Sequence, residues 1–135
     1  MSYQSILRAG LFEGQTIIVT GGGSGIGRCT AHELASLGAH VVLVGRKQDK
    51  LDSVLAEITE DGGDASAYAC DIREEEKVAA TVREIVKQRG QIHGLVNNAG
   101  GQFPSPLASI NQKGWETVVR TNLTSGFLMA REAYN

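Results

Sequence analysis

Apolar residues fall along this chain in two alternating rhythms. Gln15–Thr20 (QTIIVT) is a short β-branched run. His40–Val44 (HVVLV) is a continuous apolar run, of the kind buried on both faces of a parallel sheet. Between them the spacing becomes helical. Gly25–Leu37 predicts a helix with Ile26, Thr30, Leu34 and Leu37 near one face and Gly38 as its stop. Lys47–Glu60 predicts a second helix, carrying Leu51, Val54, Leu55 and Ile58 and ending at Asp61-Gly62-Gly63. Ser66–Cys70 (SAYAC) reads as a third strand, and Arg73–Arg89 as a helix with Val78, Val82, Ile85 and Val86 inward, closed by Gly90. Gly94–Asn97 opens a fourth strand, followed by a loop rich in Gly, Pro and Ser from Asn98 to Asn111. A last helix starts near Gln112 and runs on to Asn135.

Strands that alternate with helices of this length form βαβ units around a parallel sheet, which makes the fold class α/β. The right-handed crossover rule leaves few topologies, among them strand order 3-2-1-4, the front portion of a Rossmann-type doubly wound sheet with flanking helices. Neither a repeat nor a linker interrupts residues 1–135, so they read as one domain. Leu123, Phe127, Leu128 and Met129 lie on a helix with no later strand to cover, and the fourth strand is left as an apolar edge. The pattern therefore predicts the front portion of a longer domain.

Composition narrows the partners. Hydrophobic residues make up 41% and charged residues 21%, a globular balance. The net charge of -2 gives no sequence-wide basic footprint for nucleic acid. Apolar stretches stop far short of the ~18 residues that span a membrane. Met1–Phe12 has no apolar core of a secretory signal. Cys29 and Cys70 lack metal or disulfide-framework spacing, and His32, His40 and His93 lack spacing for a metal or a triad. No metal is expected, Cys29 is read as a small buried thiol, and the setting is reducing and cytoplasmic.

Glycine alters the picture further. The chain holds 17 glycines, and Gly21, Gly22, Gly23, Gly25 and Gly27 crowd into one strand–helix turn. Such a turn reverses the chain without Cβ clashes and lets backbone approach a pyrophosphate, with the helix N-terminus aimed at the phosphates. Gly22 and Gly27 also have the spacing of a kinase-type phosphate loop, but Arg28-Cys29 replaces the Lys-Ser/Thr that would hold phosphate and magnesium. About 20 residues past the glycines, where an acidic residue holds a free ribose 2′-OH, the chain reads Val44-Gly45-Arg46-Lys47. A guanidinium there suits a 2′-phosphate and hence NADP(H). The alternative is that Arg46 and Lys47 are solvated charges at a helix entry.

These residues resemble the short-chain dehydrogenase/reductase family. The turn Thr20–Gly27, Asp71 after strand three, Asn97-Asn98-Ala99-Gly100 after strand four, and Asn122 stand in that family's order and spacing. More narrowly, Gly100-Gly101-Gln102-Phe103-x-Ser105-Pro106 with Lys113-Gly114-Trp115 is similar to the peroxisomal-type trans-2-enoyl-CoA reductase branch. Citronellol dehydrogenase-like proteins and 2,4-dienoyl-CoA reductases share that look.

The resemblance implies that Gly21, Gly23, Ser24, Gly25, Ile26 and Gly27 surround the pyrophosphate and adenosine ribose, and that Arg46 takes the 2′-phosphate. It implies that Asp71 accepts from the adenine amine with Ile72 beside the ring. Read from the residues alone, Asp71 is a helix N-cap for Arg73–Lys77, and one carboxylate could do both. Asn98, Ala99 and Gly100 would pass close to the ribose, Asn97 would brace the sheet, and Asn122 would order a water of the proton relay. From the residues alone, Asn122 is equally a local packing feature. Phe103, Pro104 and Pro106 either shape a substrate mouth or form an ordinary connector.

The family's acid/base step uses a Ser and a Tyr-x-x-x-Lys pair. No such pair occurs here: Tyr3 and Tyr68 are followed four residues later by Leu7 and Ile72. The implied activity is hydride transfer between NADP(H) and a carbonyl, an alcohol or a 2-enoyl-CoA-type thioester. This chain would supply the cofactor-binding half of a homo-oligomeric enzyme. The rival reading is a module that binds NADP(H) without turnover, or an inactive fragment.

Overall fold

A computed structural model describes residues 3–135. Residues 1 and 2, the start of the predicted non-signal segment, lie outside them. The strands are β1 (Thr16–Thr20), β2 (His40–Gly45), β3 (Asp64–Ala69) and β4 (Gly94–Val96). The helices are α1 (Gly25–Ser36), α2 (Gln48–Glu60), α3 (Glu75–Arg89), α4 (Gln112–Val119) and α5 (Ser125–Tyr134). All pairings are parallel, in the predicted order β3-β2-β1-β4. Alternate residues of β1 and β2 face opposite layers. Ile17, Val19, Val41 and Leu43 pack with buried residues of α1 and α2, and Ile18, Val42 and Val44 pack with those of α3 and α5. Full burial of each such side chain contributes about 1.5–3 kcal/mol.

Differences from the sequence reading have physical causes. Helix α1 turns Gly27, Ala31 and Ala35 inward, while Ile26 is 78% exposed. Small side chains let this helix ride close on the sheet, and their weak apolar signal hides the face. Val86 likewise points outward, leaving Val78, Val82 and Ile85 to hold α3. Strand β3 starts two residues earlier than predicted because buried His40 reaches across to it. His40 Nδ1 lies 2.7 Å from Asp64 Oδ2, and Nε2 lies 3.0 Å from Ser66 Oγ. The predicted last helix is interrupted by a wider π turn at Arg120–Thr124. Beyond it, Leu128 and Met129 are buried on the sheet, whereas Leu123 and Phe127 are exposed. Among the described residues, β4 pairs only with β1, and no helix is long and apolar enough to cross a membrane.

Candidate functional site

The order reverses at β1: β2 lies on one side of it and β4, reached later in the chain, on the other. In open α/β sheets, ligands bind outside the carboxyl ends of the strands at this point. A cleft of about 620 Å³ opens there. Gly21, Gly23, Ser24, Gly25 and Ile26 form one wall, Arg46, Asp71 and Ile72 the end beside β2 and β3, and Asn98, Ala99 and Gly100 the far wall. Of the predicted site residues, only Gly27 and Asn122 do not line it.

Gly27 acts from beneath. A Cβ there would stand 2.2 Å from Gly21 O and 2.6 Å from Asn98 Nδ2. Gly21 has φ +67°, and its N–H donates to Val44 O at 2.8 Å, stitching the turn to β2. Ser24, ahead of α1, makes no side-chain cap. The first N–H groups of the helix, which no helix can satisfy internally, are thus left for an anion. Arg28 forks onto Glu57 of α2 at 2.8 and 3.0 Å. It is turned away from the cleft, which removes the kinase-type alternative.

The far wall is tied to β1 by one buried hydroxyl. Thr20 Oγ1 accepts from the N–H of Asn98 at 3.1 Å and of Ala99 at 3.0 Å, and Asn98 Nδ2 donates to Thr20 O at 3.0 Å. The sheet brace is therefore Asn98; Asn97 instead ties β4 to α5, donating to Gly126 O at 3.1 Å. Asn122 sits in the π turn and clamps the loop after β4. Its Nδ2 donates to Gly101 O at 2.7 Å, and its Oδ1 accepts from Gly101 N–H at 3.1 Å. Its side chain therefore shapes Gly100-Gly101 and stays off the cleft wall. Phe103, Pro104 and Pro106 are exposed and do not line the cleft either.

Electrostatics divide the end beside β2 and β3. Asp71 does not cap α3, whose N-cap is Glu74. Its carboxylate accepts instead from Arg73: Oδ1 from the backbone N–H at 3.1 Å and from Nε at 2.9 Å, Oδ2 from Nη2 at 2.7 Å. These bonds, above all those to the guanidinium, hold the Asp71 carboxyl at a pKa of about 2. Among the described residues, Arg46, Lys47 and Lys50 line the same end without an ion pair. The wall thus carries an internally neutralised pair beside unneutralised cations, and an anion there meets net positive charge.

The sequence reading passed over Arg73, Lys50 and Thr121 as cleft residues. The Asp-x-Arg spacing is the available signal for Arg73. Cys29 is exposed, contrary to expectation, because the inward positions of α1 fall on Gly27 and Ala31. Cys70 is buried, and burial pushes its thiol pKa up. The histidines serve in hydrogen bonds: His32 lies on Glu57, His40 on Asp64, and His93 Nδ1 accepts from Thr16 N–H. Among the described residues, no cluster of three potential metal ligands occurs.

Comparison with known proteins agrees with this geometry. The chain is 32% identical over 121 residues to a probable 2,4-dienoyl-CoA reductase of Bacillus subtilis, covering 90% of this chain and 48% of that protein. The structure of a citronellol catabolism dehydrogenase (AtuB) from Pseudomonas aeruginosa PAO1 is 71% identical, with a TM-score of 0.95 over 98% of this chain and 54% of that one. A metagenomic short-chain oxidoreductase in complex with NADP is 38% identical, with a TM-score of 0.85 over 90% of this chain and 55% of that one. An NAD+-bound xylitol dehydrogenase is 33% identical, with a TM-score of 0.87 over 91% of this chain and 48% of that one. The chain spans about half the length of the curated relatives it matches. The profile of the short chain dehydrogenase family matches residues 15–135, and the chain belongs to that family.

Proposed function

We propose that this chain is the NADP(H)-binding part of an oxidoreductase that transfers hydride to or from an alcohol, a carbonyl or a 2-enoyl-CoA-type thioester. The observation that carries the choice of cofactor is Arg46, which lines the cleft at the end of β2 with no carboxylate paired to it among the described residues. A 2′-phosphate fits a free guanidinium there, and an acidic residue suited to an unphosphorylated ribose is missing from Val44-Gly45-Arg46-Lys47. The cradle also fits a dinucleotide, since the glycine turn leaves no room for a Cβ at Gly27 and keeps the helix N–H groups free.

When bound, the dinucleotide supplies the hydride chemistry. This chain's part is to grip and orient it. Gly21, Gly23, Ser24, Gly25 and Ile26 would face the pyrophosphate, and Asp71 and Ile72 the purine, while Asn98, Ala99 and Gly100 line the ribose side. Asn122 holds Gly101 by both its backbone groups and so sets the depth of that wall. The 71% identity to a citronellol catabolism dehydrogenase supports an apolar alcohol or its carbonyl as substrate, and the likeness to a dienoyl-CoA reductase supports the thioester. The exposed Trp115, Leu123 and Phe127 support assembly with further copies of the protein, and the two unpaired thiols support a cytoplasmic setting.

The test is a binding titration of Arg46→Ala with both reduced cofactors. We expect NADPH to weaken at least about tenfold and NADH to stay within about twofold. Equal losses would remove the NADP(H) assignment. The second reading is a module that binds NADP(H) without turnover. Turnover of an alcohol or enoyl thioester by the protein separates the two.

A further inference from the structure

Asp71 and Arg73 form a unit whose remaining capacity can be counted. Asp71 Oδ1 already accepts two donors, the Arg73 N–H and Nε, while Oδ2 accepts only Nη2. A carboxylate oxygen takes two donors, so Oδ2 keeps one open acceptor position and has no proton to give. The carboxylate lines the cleft, with its side chain 19% exposed. That position accepts an exocyclic amine and repels a carbonyl oxygen. Arg73 is itself held, its carbonyl accepting from Arg120 Nη2 at 3.3 Å. The nearest rival for the carboxylate is Arg46, on the same wall and without a partner among the described residues. Its charge already acts on Asp71.

Resting on the reading of the cleft as a dinucleotide site, we propose that Arg73 is a positioning residue with two effects. It fixes Asp71 as a reader of the purine amino group, and it keeps that carboxylate off Arg46, leaving Arg46 to the 2′-phosphate. Without Arg73 the carboxylate turns toward Arg46, and the base contact and the phosphate contact weaken together. A structural prop would not couple them.

The experiment titrates the protein with NADPH, its hypoxanthine analogue and NADH, following emission of the reduced nicotinamide. The unaltered protein should favour NADPH over the hypoxanthine analogue by about tenfold, the scale of one charge-assisted hydrogen bond. Arg73→Ala should bring that ratio within about twofold of one and also reduce the preference for NADPH over NADH. Adding Asp71→Asn to Arg73→Ala should restore the preference for NADPH over NADH while base discrimination stays lost. If Arg73→Ala does not fold, Arg73→Gln is judged by the same two ratios. Unchanged ratios in the Arg73 variant, or no base discrimination in the unaltered protein, would overturn this inference alone. Failure of every nucleotide to bind would overturn the proposed function as well.

Discussion

The two long walls of the cleft are built by different means. The glycine wall is held by buried backbone: Gly27 lies against Gly21 O with no space for a methyl group, and Gly21 N–H is stitched to Val44 O. The opposite wall, at Gly100-Gly101, is held from outside by the exposed amide of Asn122. One wall has nowhere to relax, while the other can exchange its clamp for water. A nucleotide pressed between them therefore meets a fixed surface for its phosphates and a yielding one on its ribose side.

The sharpest way to break this contrast is Gly27→Val. The new side chain collides with backbone and not with a flexible tip. We expect a loss of about 4 kcal/mol in denaturant unfolding, in the exceptional range for one substitution, together with loss of nucleotide binding. A stable variant that still binds NADPH would show that the turn is not the rigid wall.

Asp71 is the intermediate case, an ion pair 19% exposed on its carboxylate side and 31% on its guanidinium side. Its pKa falls from 3.8 to about 2 on folding. At ~1.4 kcal/mol per unit, the ionised carboxylate contributes about 2 kcal/mol. Because the folded value is the lower one, that stability is complete above the unfolded value and is lost as pH falls through the folded one. Asp71→Asn should therefore be less stable than the parent by about 2 kcal/mol at pH 7, with the gap closing as pH falls from about 4 toward 2. A gap that does not change with pH would assign the loss to packing and not to charge.

The smallest effect belongs to the yielding wall. Asn122→Ala removes three hydrogen bonds, but at an exposed position where water replaces them. We expect about 1 kcal/mol in unfolding and a several-fold weaker grip on nucleotide. A loss as large as that for Gly27→Val would mean the two walls are equally rigid.

Strand–helix alternation, the topology and the floor of the cleft were legible in the sequence because each is written in a strong local signal: β-branched runs, helical spacing and a cluster of glycines. What was not legible depends on contacts made across the fold. The inward face of α1 is carried by Gly27, Ala31 and Ala35, residues too small to stand out in a hydrophobic pattern. The early start of β3 depends on His40 reaching Asp64, a pairing with 23 residues between its members. Asp71 and Asn98 line the cleft, yet their partners, Arg73 and Thr20, emerge only from distances. The turn at Arg120–Thr124 has neither Gly nor Pro to announce it, so the sequence reads there as one unbroken helix.

That π turn also acts as a register setting. A widened turn takes up one more residue than an α-helical turn, which rotates everything after it by about 100°. In this setting Leu128 and Met129 meet the sheet, and Leu123 and Phe127 stay outside. Forcing the unchanged sequence into an unbroken α-helix would carry a different pair of side chains to the core. Deleting a single residue between positions 120 and 124 instead lets the helix run straight and still brings Leu128 and Met129 to the sheet. An alignment gap of one at this place thus leaves the buried face unchanged, and a lineage could cross it without rewriting the residues that follow.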